Sequence, residues 1–427
     1  MYFLSKINVT DFYSKSLLIL HASLSAFIVY TCMYAVRKPY TASSFEGLQQ
    51  FGISYKVVLV TSQVIGYMLS KFIGIKVISE VQPNSRPKYI IGLILIGWLA
   101  LLFFAIVPFQ FKFVFLFLNG LPLGMIWGLV FSYLEGRKFT DLMGSLLATS
   151  FIISSGIAKT VGRHILSTTV FDQWWMPFIT ASLFLLPLLL FTYLLSKVPA
   201  PSIEDQKERS PRFPMNNKQR GDFIRKYGVL MIAPVMTYML LTALRDFCED
   251  FALELWIETN QASTIFLFTQ TSTIAGFIVM GFVGLLFLIR NNFKAFQTIH
   301  IFVVLGFILC VVSTYLFQLN LLSPVSWMIC ATTGLYMGYV SCNSIYYERM
   351  IASFQIQGNV GFVMYIADAF GYLGTVLVLL LKEYLDWKVN WVSFFTIAFY
   401  ISSLLGIIFI LSSLWGFNRK HQLIKYA

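Results

Sequence analysis

Stretches of about twenty mostly apolar residues recur along the whole chain, and no other feature limits its fold as strongly. A helix of that length crosses the hydrocarbon core of a bilayer. Charged residues make up 12% of the 427 residues, about half of the share that is usual in soluble domains. The candidate spans lie near residues 17–40, 57–79, 89–108, 112–133, 142–163, 174–196, 228–250, 264–289, 296–318, 323–345, 359–381 and 391–416. We therefore expect an all-α membrane protein with twelve transmembrane helices.

The positive charges predict the orientation of these spans. An even number of spans puts both termini on the same side of the membrane. With the N-terminus placed inside, about 21 of the 31 lysines and arginines fall in inside segments and about seven in outside segments. Cytoplasmic loops are enriched in these residues in the same way. We expect a multi-pass protein of the inner (plasma) membrane with both termini cytoplasmic, in which topology rather than nucleic-acid binding explains the net charge of +12.

One long polar segment divides the chain into two parts. The segment from Lys197 to Tyr227 carries prolines and charges and has no long apolar run, as a linker does. It predicts an N-terminal six-helix half (1–196), a cytoplasmic linker (197–227) and a C-terminal six-helix half (228–427). Two such halves are the organisation of the major facilitator fold, in which the substrate binds between the halves near the middle of the membrane.

Ionisable residues inside apolar spans are the candidates for a binding site, because they are costly in lipid and usually face a cavity. Arg37 lies at the end of the first span, and Tyr34 and Arg37 can share one helical face. Lys38 points about 100° away from Arg37 on a helix, and Pro39 is expected to kink or end the helix. The alternative is an interfacial pair, Arg37 and Lys38, that extends towards the lipid headgroups.

The second half begins with a similar arrangement. Arg245 lies near the end of the seventh span, at a depth that matches that of Arg37 in the first. A parallel repeat would bring the two arginines face to face across a central cavity. Asp246 and Glu249 follow Arg245, and the spacing of four residues between Arg245 and Glu249 allows a salt bridge.

Further polar residues lie within other spans. Gln63, Tyr67 and Lys71 form a polar stripe with a spacing of four residues along the second span, and such a stripe needs an aqueous or protein neighbour. Lys159 lies in the fifth span, and there are two interpretations of it: its side chain lines the cavity, or it extends to the lipid headgroups. Asp368 is the one acid deep in a late span, either as a counter-ion to an arginine or as a group that titrates during transport. Four more candidates for the cavity lining are Gln270, Tyr336, Tyr339 and Asn343.

These residue types indicate anion binding. The fork of guanidinium donors on two arginines matches a phosphate or carboxylate, nearby lysines add positive charge, and tyrosines orient oxygen atoms. We therefore expect a small anionic substrate, bound by a monomer in the lipid bilayer. Five isolated cysteines and four histidines without ligand spacing predict no metal site, and we expect no cofactor.

Four segments resemble motifs of the organophosphate:phosphate antiporters, which include glycerol-3-phosphate and hexose-phosphate transporters. They are YAVRKPYTAS in the first span, YMLSKFIG in the second, LLTALRDFCEDF in the seventh and AFGYLGT in the eleventh. The resemblance covers nearly the whole chain. It implies an alternating-access antiporter in which Arg37 and Arg245 grip phosphate, with Lys38 and Lys71 as accessory positive charges.

Other functions make different demands on the sequence. A proton-coupled transporter would need a carboxylate that titrates, for which Asp368, Asp246 and Glu249 are candidates. A sensor that binds a sugar phosphate without transport would have the same arginines. A membrane-embedded enzyme would need an acidic or histidine motif such as H-x-x-x-x-D or D-x-D, and an ATP-driven pump a G-x-x-x-x-G-K-[ST] loop. The sequence contains none of these motifs, so we expect a protein that is not an enzyme.

Overall fold

Helices make up almost all of the chain described by the computed structural model, which covers residues 9–135, 137, 139–202, 205, 217–262, 264–354, 360–384 and 390–426. The helices of the first half are α1 (Val9–Arg37), α2 (Tyr55–Glu80), α3 (Arg86–Ile106), α4 (Lys112–Leu123), α5 (Ile126–Phe131), α6 (Thr140–Thr168), α7 (Met176–Leu183) and α8 (Leu185–Ser196). Short 3-10 helices lie at Pro39–Ala42, Pro83–Ser85 and Phe109–Phe111. Strands β1 (Gln49–Gln50) and β2 (Ile53–Ser54) pair antiparallel.

The second half follows the same plan. Its helices are α9 (Asn217–Asp250), α10 (Ala252–Glu258), α11 (Leu267–Phe287), α12 (Asn292–Gln318), α13 (Pro324–Ser341), α14 (Tyr347–Ser353), α15 (Val360–Tyr384) and α16 (Trp391–Tyr426). A π-helical turn, Cys342–Tyr346, joins α13 to α14. Helix α9 begins eleven residues before the predicted span at 228, so the end of the expected linker is helical. The middle of that linker, 206–216, lies outside the described residues.

Eleven segments of the described chain are helical, long and apolar enough to cross a membrane. They match eleven of the twelve predicted spans. The twelfth, 323–345, corresponds to α13 and the π-helical turn, where threonine, glycine and tyrosine lower the hydropathy. Because nearly every residue from Thr333 to Asn343 is buried, this segment is surrounded by protein rather than lipid. The chain is a multi-pass membrane protein.

The first and second halves contact each other along two helix pairs, α2 with α15 and α6 with α11. In the second pair, a Cβ atom added at Gly156 would overlap the Ser272 side chain and the carbonyl oxygen of Phe268. Glycine therefore allows α6 and α11 to approach closely at this point. The predicted site residues lie in the interior between these helix pairs.

Candidate functional site

Arg37 is a buried cation with free hydrogen-bond donors. It is the last residue of α1, and Pro39 starts a 3-10 turn immediately afterwards, as expected from the proline. Its side chain is 1% exposed, and its guanidinium carbon lies 3.8 Å from the centre of the Tyr67 ring and 5.8 Å from that of Tyr34. Within the described residues, Nε and Nη2 have no hydrogen-bond partner. A buried donor without a partner is costly, so this group is suited to binding an anion.

Arg245 has a carboxylate partner. Its Nη2 and Nε atoms donate to Oδ1 of Asp246 at 2.6 and 3.2 Å, and its guanidinium carbon lies 4.2 Å from the centre of the Tyr339 ring. The predicted salt bridge between Arg245 and Glu249 is wrong. Arg245 turns towards α15, where Thr375 also donates to Asp246, whereas Glu249 accepts a hydrogen bond from the Tyr336 hydroxyl at 2.7 Å.

Tyr372 lies between the two arginines. The guanidinium carbons of Arg37 and Arg245 are each 5.7 Å from the centre of its ring. The structure thus brings the two predicted arginines to one aromatic side chain of α15. We call Arg37, Arg245 and the four surrounding tyrosines the arginine site; these tyrosines are Tyr34, Tyr67, Tyr339 and Tyr372.

Ion pairs join the two halves at the end of the bundle where α1 ends and α2 begins. Lys38 binds Asp250 at 2.6 Å and lies 3.7 Å from Glu249. Lys56 binds Glu254 at 2.6 Å and also donates to the Thr41 carbonyl. We call this end the Lys56 end. Burial raises the pKa of the Glu254 carboxyl, and the nearby Lys56 ammonium opposes that effect.

A second cross-half ion pair lies farther along α2. Lys71 binds Asp368 at 2.9 Å, and it lies sixteen residues after Tyr55, about 24 Å along the helix. The hydroxyl of Tyr238 donates to Asp368 at 2.6 Å and accepts from the side-chain amide of Asn343, also at 2.6 Å. Asp368 is therefore the counter-ion of a lysine, and the expectation that it balances an arginine is wrong. Asp368 lies on α15, beside α2, so the basic side chain that reaches it is the one on α2.

Gln63 lies in the interior of the first half. Its amide nitrogen donates to the Arg37 carbonyl at 2.8 Å and to the side chain of Asn119 at 2.7 Å, and its amide oxygen accepts from Tyr40. Protein groups therefore engage both polar atoms, and Gln63 positions the end of α1.

Lys159 is buried and does not extend to the headgroups. Its ammonium group donates to the backbone carbonyl of Glu249 at 2.8 Å, across the halves. Tyr336, Tyr339 and Asn343 lie in the same interior region, whereas Gln270 is exposed.

Buried charges between the halves do not balance in the described part of the chain. The six cations are Arg37, Lys38, Lys56, Lys71, Lys159 and Arg245, and the five carboxylates are Asp246, Glu249, Asp250, Glu254 and Asp368. Of the two other buried basic side chains, Lys112 donates to backbone carbonyls within the first half, and Arg137 donates to the carbonyls of Tyr133 and Pro199. Arg37 and Lys159 are the cations of the six that form no ion pair with a described carboxylate. With all of these groups ionised, the interior between the halves has one cation more than it has carboxylates.

Sequence reasoning missed some residues of this region. Lys56 and Glu254 were not expected to contribute, because Lys56 begins a span and resembles an interfacial lysine. Tyr238 and Thr375 carry no charge, and only the packing of α9 against α15 brings them to Asp368 and Asp246. The described residues contain no cluster of metal-ligating side chains.

The fold is that of major facilitator transporters. The nucleoside transporter NupG superposes with a TM-score of 0.61 at 15% identity, over 92% of this chain and 98% of that chain. The proton:xylose symporter XylE bound to 6-bromo-6-deoxy-D-glucose gives 0.60 at 14% identity, over 93% and 95%. The xylose transporter XylE from E. coli, in a partially occluded inward-open conformation, gives 0.55 at 13% identity, over 92% and 97%. At these identities the likeness shows the fold alone.

Sequence comparisons assign the family. No curated protein matches the chain significantly, so the resemblance to organophosphate:phosphate antiporters remains a prediction. The model of one family, described as "Family of unknown function (DUF5690)", matches residues 39–420. Because that match covers most of the sequence, the chain belongs to DUF5690.

Proposed function

We propose that this protein is a secondary active transporter that moves a small organic anion across the membrane by alternating access. The observation that carries the proposal is the guanidinium group of Arg37, which is buried between the halves with two nitrogen atoms free of described partners. Arginine offers a planar fork of donors that fits a carboxylate or phosphate. An anionic group bound to Nε and Nη2 would satisfy both donors.

The charge balance supports an anion over a neutral substrate. Six buried cations face five buried carboxylates in the described interior, so one negative charge on the substrate completes the balance. A neutral ligand would leave a buried guanidinium without a counter-charge, which is unfavourable in a medium of low dielectric constant. Arg245 is already paired with Asp246, and its role is to hold Tyr372 in place by donating to the Tyr372 hydroxyl.

Alternating access is supported by the two sets of cross-half ion pairs. Lys56 with Glu254 lies at one end of the bundle, and Lys71 with Asp368 lies well along α2 from that end. In the proposed cycle, one set separates while the other stays closed, so that the arginine site opens to one side of the membrane at a time. The fold shared with sugar and nucleoside transporters agrees with secondary transport.

The finer form of the proposal is exchange of a phosphorylated metabolite for inorganic phosphate, as the four motifs imply. Counterflow in proteoliposomes tests it: vesicles loaded with inorganic phosphate are given labelled phosphate, with sugar phosphates and carboxylates as competitors. We expect saturable exchange that Arg37→Lys weakens strongly and that Arg349→Lys, a conservative change of a half-buried arginine that donates to Asn292, leaves intact. Absence of exchange with every anion in folded protein would contradict phosphate exchange and leave proton-coupled transport or a sensor function.

Proton coupling is the second candidate. Asp368 is a membrane-buried carboxylate with a cross-half partner, Lys71, and such groups carry protons in many transporters. Uptake of the anion that depends on an imposed pH gradient, with no inorganic phosphate inside the vesicles, would favour it over exchange.

A further inference from the structure

A small cavity lies beside the arginine site, between α6 of the first half and helices α9, α10, α11 and α13 of the second. It measures about 50 Å³, which is room for about one or two water-sized groups. Its wall includes Ser155, Lys159, Glu249, Trp256 and Tyr336. We call this cavity the side chamber.

Polar atoms without described partners line the side chamber. The hydroxyl of Ser155, the Oε2 atom of Glu249 and the indole nitrogen of Trp256 are buried, and none has a hydrogen-bond partner in the described part of the chain. The Glu249 Oε2 atom lies 3.7 Å from the Lys38 ammonium group, beyond hydrogen-bond distance. Lys159 donates one hydrogen bond, to the Glu249 carbonyl, although an ammonium group has three donors. Ser155, Glu249 and Trp256 therefore each have an atom beside this cavity that could form a further hydrogen bond. Burial of such an atom is unfavourable unless a ligand or water bonds to it.

The side chamber and the arginine site are neighbours. The ring of Tyr336, in the wall of the side chamber, has its centre 6.4 Å from that of Tyr339, and the Tyr339 ring centre lies 4.2 Å from the guanidinium carbon of Arg245. Glu249 in turn lines the side chamber and is held by Tyr336. The two regions therefore meet at Tyr336 and Tyr339, and a ligand bound at the arginines enters the side chamber past these two rings.

We infer that the side chamber is a second subsite, which binds hydroxyl groups of the transported anion. This inference rests on the proposed function and narrows it to hydroxylated organic anions, such as hydroxy acids or sugar phosphates. A hydroxyl group both donates and accepts, so it matches a wall that has donors at Trp256 and Lys159 and an acceptor at Glu249. An alkyl group would leave all of these hydrogen-bonding groups unsatisfied.

Matched pairs of anions test the inference. D-glycerate is compared with propionate, and glycerol 3-phosphate with propyl phosphate, by ligand-induced thermal stabilisation of the purified full-length protein and by competition in counterflow. We expect the hydroxylated member of at least one pair to bind at least about tenfold more tightly. Ser155→Ala and Trp256→Phe should each weaken the binding of the hydroxylated anion about five- to tenfold and leave the binding of its partner anion unchanged.

A buried serine elsewhere provides the control. Ser403 on α16 is also buried and without a described hydrogen-bond partner, but it lies outside the side chamber. Ser403→Ala should change the affinity for neither anion of a matched pair.

Each other result has a distinct meaning. Equal binding of both members, or equal loss in both after Ser155→Ala, overturns the inference and leaves a water-filled pocket beside a working anion transporter. Selective binding without flux supports the subsite and contradicts transport. Binding of neither member of either pair by folded protein contradicts the subsite together with the anion site.

Discussion

The carboxylate of Asp368 binds the ammonium group of Lys71 at 2.9 Å, and this contact joins α15 of the second half to α2 of the first. Both side chains are buried, and Asp368 also accepts a hydrogen bond from Tyr238. A buried ion pair adds little net stability compared with apolar side chains of the same volume, but loss of one partner leaves a buried charge. This asymmetry gives the first prediction.

Asp368→Asn should lower the free energy of unfolding by about 3–5 kcal/mol, because Lys71 remains charged without a counter-ion. The double variant Lys71→Met with Asp368→Leu should recover most of that loss. Thermal unfolding in detergent measures both. A single variant as stable as the wild type would show that water or another acid reaches Lys71.

Arg37→Lys should reduce the affinity for the transported anion about 10- to 100-fold, because a lysine cannot replace two charge-assisted hydrogen bonds in a plane. Arg245→Lys should have a smaller effect, since a lysine at that position can still pair with Asp246. Competition in counterflow compares the two variants. Equal losses would mean that both arginines contact the anion.

Lys56→Met should open the Lys56 end of the bundle, because it leaves Glu254 buried without its cation. Cys248 lines the side chamber and is buried, so it reports access from that end in a variant whose other four cysteines are replaced. We expect its reaction with a membrane-impermeant methanethiosulfonate reagent to accelerate more than about tenfold, since loss of one partner of a buried pair costs several kcal/mol.

Lys112→Met is the control for this experiment. Lys112 is a buried lysine at the same end of the bundle, but it donates to the carbonyls of Phe104 and Ala105 within the first half. The Lys112→Met variant should leave the rate of Cys248 labelling unchanged. Equal rates in the Lys56 variant and the wild type would mean that the ion pair does not hold this end closed.

Gly156→Ala should destabilise the contact between α6 and α11 by about 1–3 kcal/mol, the usual cost of overpacking, because the new methyl group meets the Phe268 carbonyl and Ser272. Gly281→Ala, on the same helix as Ser272, is the matched change: no atom lies near its added Cβ, and alanine favours a helix. Thermal unfolding should show a loss of stability for Gly156→Ala and no loss for Gly281→Ala. Similar stabilities would contradict the close approach of α6 and α11.

Much of the fold was predictable from local sequence. Apolar stretches of about twenty residues predicted eleven of the helices that can cross a membrane, and Pro39 predicted the end of α1. Hydropathy gave a weaker signal for 323–345, because α13 is enclosed by other helices and tolerates polar residues. The two arginines were found from the positions of charges relative to spans, and the fold brings both of them to Tyr372.

The ion-pair partners were not predictable in the same way. Helical spacing suggested Glu249 for Arg245, yet Asp246 is the partner because the arginine turns towards Tyr372 on α15. Lys71 and Asp368 are almost 300 positions apart in the sequence, so their contact depends on how α2 packs against α15. The spacing of residues along one helix does not indicate which residue on another helix will be the ion-pair partner.

The unpaired charge of Arg37 has an electrical consequence for the proposed cycle. With all groups ionised, the six cations and five carboxylates buried between the halves in the described part of the chain give the unloaded interior one net positive charge, which a bound monoanion cancels. A charge that crosses the whole membrane field gains or loses about 2.3 kcal/mol per 100 mV. The membrane potential would therefore drive the unloaded protein towards the conformation that faces the negative side and leave the loaded protein almost unaffected. Voltage would then set the direction in which the empty transporter returns.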